Sequence, residues 1–130
     1  MKKIIVNSAN APKAIGPYSQ AIEIGHLVFT SGQISIDPRT NQFIDDSVTV
    51  QTEVVIKNLE AVLKEAGSSL QSVIKTTVFL KSMNDFPAMN SVYEKFFRSN
   101  PPSRSTVEVA GLPKGAKVEI EAIALKENSK

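Results

Sequence analysis

Two stretches near the end of this 130-residue chain hold the residue types best suited to chemistry. In RSTVEV, which begins at Arg104, the two-residue period of a strand puts Arg104, Thr106 and Glu108 on one face. In KVEIEAIAL, which begins at Lys117, the same period puts Glu119 and Glu121 beside Ile123 and Leu125. If these consecutive strands pair, a guanidinium and a carboxylate stand across a cleft. The first can grip a substrate carboxylate with two parallel hydrogen bonds, and the second can orient or deprotonate water. The same spacing also describes a cross-strand salt bridge on a wet sheet face, and the residues alone leave both readings open.

Other positions carry weaker signals. Tyr18 follows the rigid Gly16-Pro17 pair, which presents the phenol at a loop edge for a ligand or for packing. Ser31-Gly32 ends a strand, where a hydroxyl and a backbone N–H either meet an anion or close a turn. Asn90 interrupts the apolar pattern of a helix and faces solvent or a ligand. The single histidine, His26, lies beside Gly25 in a tight-turn signal and receives no catalytic role. Asp37, Asp45 and Asp46 suit a solubilising loop better than a hard-cation site, so no metal is expected. The absence of cysteine excludes disulfides and thiolate chemistry, and the motifs of dinucleotide binding, P-loops, serine hydrolases and zinc peptidases are missing.

The elements that must position these residues are readable from periodicity. Lys2 to Val6 suggests a short strand, and Ser19–Ile24 with Leu27–Thr30 a hairpin turning at Gly25-His26. Ser31 to Asp46 has loop chemistry and could border a site. Ser47 caps a helix to Ala66 whose Val55, Leu59, Val62, Leu63 and Ala66 share one face, and Gly67 stops it. Val73–Leu80 follows as a β-branched strand with Ile74, Val78 and Leu80 on one face and Val73 and Phe79 on the other. A second helix is expected with Asn84 as cap and Pro87 in its first turn, its face marked by Phe86, Met89, Tyr93, Phe96 and Phe97. Pro101-Pro102 ends it, and strands at 104–109 and 117–125 complete the order βββαβαββ.

That order predicts one α+β domain spanning residues 1–130, a six-stranded sheet with two helices covering one face. Apolar residues on both sides of the last strand predict that the other face is buried against further copies in a closed homo-oligomer. With 42% apolar and 22% charged residues, the composition is that of a globular domain rather than a disordered chain. The net charge of +2 gives no electrostatic reason to expect a nucleic-acid or membrane partner. The first residues lack a signal-peptide apolar region and no stretch is long enough to cross a bilayer as a helix, so a cytoplasmic protein is expected.

The segments IGPYSQA, TSGQI, NDFPAMNSVYEKFF and PSRSTVEVAGLPKGAKVEIEAIAL resemble the RidA (YjgF) family of reactive-intermediate deaminases, over roughly residues 12–126. The resemblance implies a chorismate-mutase-like (bacillus type) α+β fold, assembled as a homotrimer with active sites in clefts between subunits. It implies hydrolysis of 2-imino acids, such as 2-iminopropanoate and 2-iminobutanoate, to 2-oxo acids and ammonia, without a cofactor. Arg104 looks like the family arginine that binds the substrate carboxylate, and Glu119 like the glutamate that positions or activates water. Tyr18, Ser31, Gly32 and Asn90 fall where the family lines its pocket, the Tyr18 and Asn90 of one cleft coming from different subunits. Thr106, a further substrate-binding position, departs from the cysteine of many relatives, which removes any thiol-dependent property. Two alternatives accompany this reading: a non-catalytic 2-oxo-acid binding module and, with less support from the charge, an RNA-cleaving translation inhibitor.

Overall fold

The computed structural model describes residues 1–127. Strand β1 is Ile4–Val6, and β2 (Ala21–Ile24) turns into β3 (Leu27–Thr30) through Gly25, whose positive φ of 58° a side-chain-bearing residue would adopt at a cost. Helix α1 (Val48–Glu65) starts as expected, Ser47 Oγ accepting from the Val50 N–H at 3.2 Å. Its buried stripe of Val55, Ile56, Leu59, Val62 and Leu63 is the centre of the core, and Gly67, at φ 77°, ends it. The rest of the chain is β4 (Val73–Leu80), α2 (Phe86–Phe96), β5 (Ser103–Glu108) and β6 (Val118–Leu125).

One six-stranded sheet results, in the order β1-β2-β3-β6-β4-β5. Only β4 and β5 run parallel, since α2 lies between them as the crossover that parallel pairing needs. Val118, Ile120, Ala122 and Ala124 of β6 and Thr76, Val78 and Leu80 of β4 are buried in the layer that packs against α1 and α2. The opposite face has no helix, and Phe29 and Leu125 are exposed there. No helix is long and apolar enough to cross a membrane among the described residues.

Three expectations need correction. The two tail strands are consecutive in sequence but do not pair: β6 inserts between β3 and β4, so β4 separates it from β5. Ile74 does not share the inner face with Val78 and Leu80. The register shifts between Val73 and Lys75, and this bulge buries Val73 while leaving Ile74 exposed. Asn84 is not the cap of α2. It lies in a short 3-10 turn, Met83–Asp85, where Ser82 Oγ accepts from the Asn84 N–H at 3.2 Å, and α2 begins only at Phe86.

Candidate active site

On the helix-free face, β6 presents Glu119, whose position is decided by an irregularity in the neighbouring strand. Phe29 pairs with Ile123, but Gln33 bridges Ile120, so the β3 side has one residue too many. The Thr30 hydroxyl fills the gap by accepting from the Ala122 N–H at 3.0 Å, and Ser31-Gly32 bulges beneath Glu119. A Cβ on Gly32 would lie 2.1 Å from Glu119 Oε2, so only glycine allows the carboxylate to rest there. The Gly32 N–H has no partner among the described residues. Burial raises the Glu119 pKa, and the charge of Glu121 adds to the effect.

Glu119 lines a cavity of about 370 Å³ with Ile15, Ile34, Tyr18, Lys13 and Lys114. Tyr18 is half exposed at the end of the N-terminal loop, its hydroxyl accepting from the Ile15 N–H at 3.4 Å. Buried Gln20 holds that loop: its Oε1 accepts from the Ser8 N–H, and its Nε2 donates to the carbonyls of Ser8 at 3.2 Å and Pro12 at 2.8 Å. Ser31 lines the cavity, but both its donors are engaged: Oγ donates to Ser19 O at 2.6 Å and N–H to Gln20 O at 2.9 Å. The free donor at this bulge is therefore the Gly32 N–H rather than Ser31, a distinction that the sequence could not make.

Arg104 lies elsewhere. It pairs with Thr76 of β4, on the helix side of the sheet, whereas Glu119 pairs with Phe79 on the other side. Arg104 Nη1 donates to Asn90 Oδ1 at 2.8 Å, and the guanidinium stacks over Tyr93 at 4.7 Å and Phe86 at 5.4 Å. Phe86, Asn90 and Tyr93 follow at intervals of four and three residues, so one face of α2 forms the cradle. The Tyr93 hydroxyl is tied to Thr76 Oγ1 at 2.7 Å; burial raises its pKa, against the lowering by that bond and by Arg104. No carboxylate lies within ion-pair distance of Arg104 among the described residues. A half-buried guanidinium with an oriented, unneutralised charge has the chemistry to take a carboxylate in two parallel hydrogen bonds.

Thr106 follows Arg104 on the same side of β5, and its buried Oγ1 has no hydrogen-bond partner among the described residues. The expected cleft between paired tail strands is thus overturned: one copy of the chain carries Arg104, Asn90 and Thr106 on one side and Tyr18, Ser31, Gly32 and Glu119 on the other. Lys13, Lys114 and Gln20 carried no signal in the sequence, and Phe86 and Tyr93 stood there only as members of the apolar face of α2; the 86-90-93 spacing was the available signal. His26 is exposed in its turn, Asp37 pairs with Arg39 at 3.3 Å and is held below the ordinary carboxylate range by it, and Asp46 accepts from the Ser47 N–H at 2.6 Å.

The family model described as endoribonuclease L-PSP matches residues 8–126. A RutC family protein of Pyrococcus horikoshii is 52% identical, over 98% of this chain and all of the relative. The human 2-iminobutanoate/2-iminopropanoate deaminase is 43% identical, over 93% of this chain and 88% of its own length. The crystal structure of Escherichia coli TdcF with bound serine superposes with a TM-score of 0.90 at 44% identity, covering 95% of this chain and 99% of that one.

Proposed function

This chain belongs to the endoribonuclease L-PSP family, which includes the RidA-type deaminases, and from that premise we propose that it hydrolyses small 2-imino acids to 2-oxo acids and ammonia. The observation that carries this reading is the unneutralised Arg104, oriented by Asn90, Tyr93 and Phe86 toward a small carboxylate. The name of the human relative supplies the substrate class, 2-iminobutanoate and 2-iminopropanoate, and the serine bound to TdcF is likewise a small molecule with an α-carboxylate.

The site needs two copies of the chain. Arg104 of one copy holds the substrate carboxylate, and Glu119 and the Gly32 N–H of another face the imine from the opposite side. Exposed apolar residues of the sheet, Phe29 and Leu125 on the helix-free face and Val107 on β5, favour such contacts, closed as a homotrimer. Glu119 takes a proton from water as the oxygen bonds to the imine carbon and the C=N π pair moves to nitrogen, and it returns that proton to the nitrogen to give a neutral carbinolamine. Glu119 then relays the hydroxyl proton to the amine nitrogen; the oxygen pair forms the C=O bond, the C–N bond breaks with its pair going to nitrogen, and ammonia leaves. The imine is already electrophilic, so positioning and charge placement suffice without a cofactor.

Turnover tests the reading. 2-Aminoacrylate released from serine by a dehydratase tautomerises to 2-iminopropanoate, and the protein should accelerate its disappearance over buffer. Arg104→Ala should lose about 2–5 kcal/mol of transition-state binding, the cost of removing one member of a buried charge pair. No acceleration by the wild-type protein leaves a 2-oxo-acid binding module as the better description.

A further inference from the structure

The turn between β5 and β6 contains a residue in the wrong conformation for its type. The Gly115 N–H donates to Leu112 O at 3.1 Å, closing the turn Leu112–Gly115 with Pro113 in its second position. The third position, where a positive φ is needed and glycine or asparagine is the usual choice, holds Lys114 at φ 59°, ψ 18°. A side chain in this region costs stability, and such outliers concentrate where the side chain has a task. Lys114 lies on the wall of the cavity that contains Glu119, with Lys13 of the N-terminal loop as the second lysine there. Among the described residues neither ammonium makes an ion pair. Ile15, Ile34 and Ile36 line the same cavity, and about 370 Å³ is far more space than a three- or four-carbon acid fills.

We infer that Lys114, with Lys13, forms a second anion-recognition element in this cavity, so that the substrates extend to imino acids with a carboxylate at the far end of the side chain. The inference rests on the reading above in one respect: Arg104 of a neighbouring copy holds the reacting carboxylate. The side chain of the substrate then lies against the isoleucines, and its terminal carboxylate meets the two lysines.

The test compares 2-oxoglutarate with 2-oxopentanoate, product analogues of equal carbon number that differ in a terminal carboxylate or methyl, by titration calorimetry on the full chain. The wild-type protein should bind 2-oxoglutarate about tenfold tighter or more. Lys114→Gly should bring the ratio close to one while the melting temperature holds or rises, because glycine relaxes the positive φ; Lys13→Ala should lower the ratio as well. A wild-type ratio near one, including the case in which neither acid binds, overturns the inference, as does a ratio that Lys114→Gly leaves unchanged. The binding ratio is independent of turnover, so loss of the deaminase reading in the 2-iminopropanoate assay and loss of this inference are separate results.

Discussion

Glu119 holds its carboxylate against Gly32 in a cavity that strips part of its hydration, and burial is the main reason that its pKa is raised. The direction fixes two pH dependences. As general base Glu119 must be ionised, so the acidic limb of kcat/KM falls at a pH above the ordinary glutamate value of 4.5. An acid with a raised folded-state pKa lowers stability once the pH exceeds that pKa, because the folded state must hold a charge that the unfolded chain hydrates freely. The loss fades as the pH falls through the folded value and is absent below the unfolded one. Glu119→Gln should therefore abolish most turnover yet raise the melting temperature at pH 8, with the gain shrinking toward pH 4. Equal melting temperatures for the two proteins across that range would show that the carboxylate is not desolvated. The family resemblance singles out Glu119, but the desolvation was not legible in the sequence, where periodicity makes Glu119 and Glu121 equivalent in type and face. What separates them is the close approach of Gly32, a contact across 87 residues of chain.

At the scale of elements, the bulge at Ser31-Gly32 sets the geometry and the helices support it. Gly32 does not occupy the positive-φ region, so its requirement is steric and lies entirely with Glu119. Gly32→Ala should leave the fold intact but displace the carboxylate by an ångström or more, lowering kcat/KM about a hundredfold. Its effect on thermal stability should disappear in a Glu119→Ala background, and thermal melts of the double variant check this; a cost that persists would place the strain in the backbone. Both helices, both turns flanking α1 and the approximate extent of most strands were legible in the sequence, because capping and periodicity are local properties. The Ile74 bulge and the placement of β6 beside β4 were not. Each depends on which strands meet, and the α2 crossover that makes β4 and β5 parallel neighbours leaves β6 to pair on the other side of β4.

For the whole molecule, the decisive relation is that Arg104 and Glu119 occupy opposite faces of one sheet. A single chain cannot direct both groups at one imine, which distinguishes a shared site from a site within one chain by experiment. Sedimentation should give about three times the 14.1 kDa of a single chain if the assembly closes as a trimer. Arg104→Ala and Glu119→Gln proteins should each be nearly inactive alone. Unfolded together in equal amounts and refolded, they distribute at random, and a site is intact only when its arginine comes from a Glu119→Gln chain and its glutamate from an Arg104→Ala chain. Each condition is met half the time, so the mixture should recover about a quarter of wild-type activity, whatever the number of subunits in the closed ring. Mass spectrometry of the intact assemblies establishes that mixed oligomers have formed. If they have and activity stays at the level of the parents, both groups must act within one chain, and the two-copy site has to be abandoned.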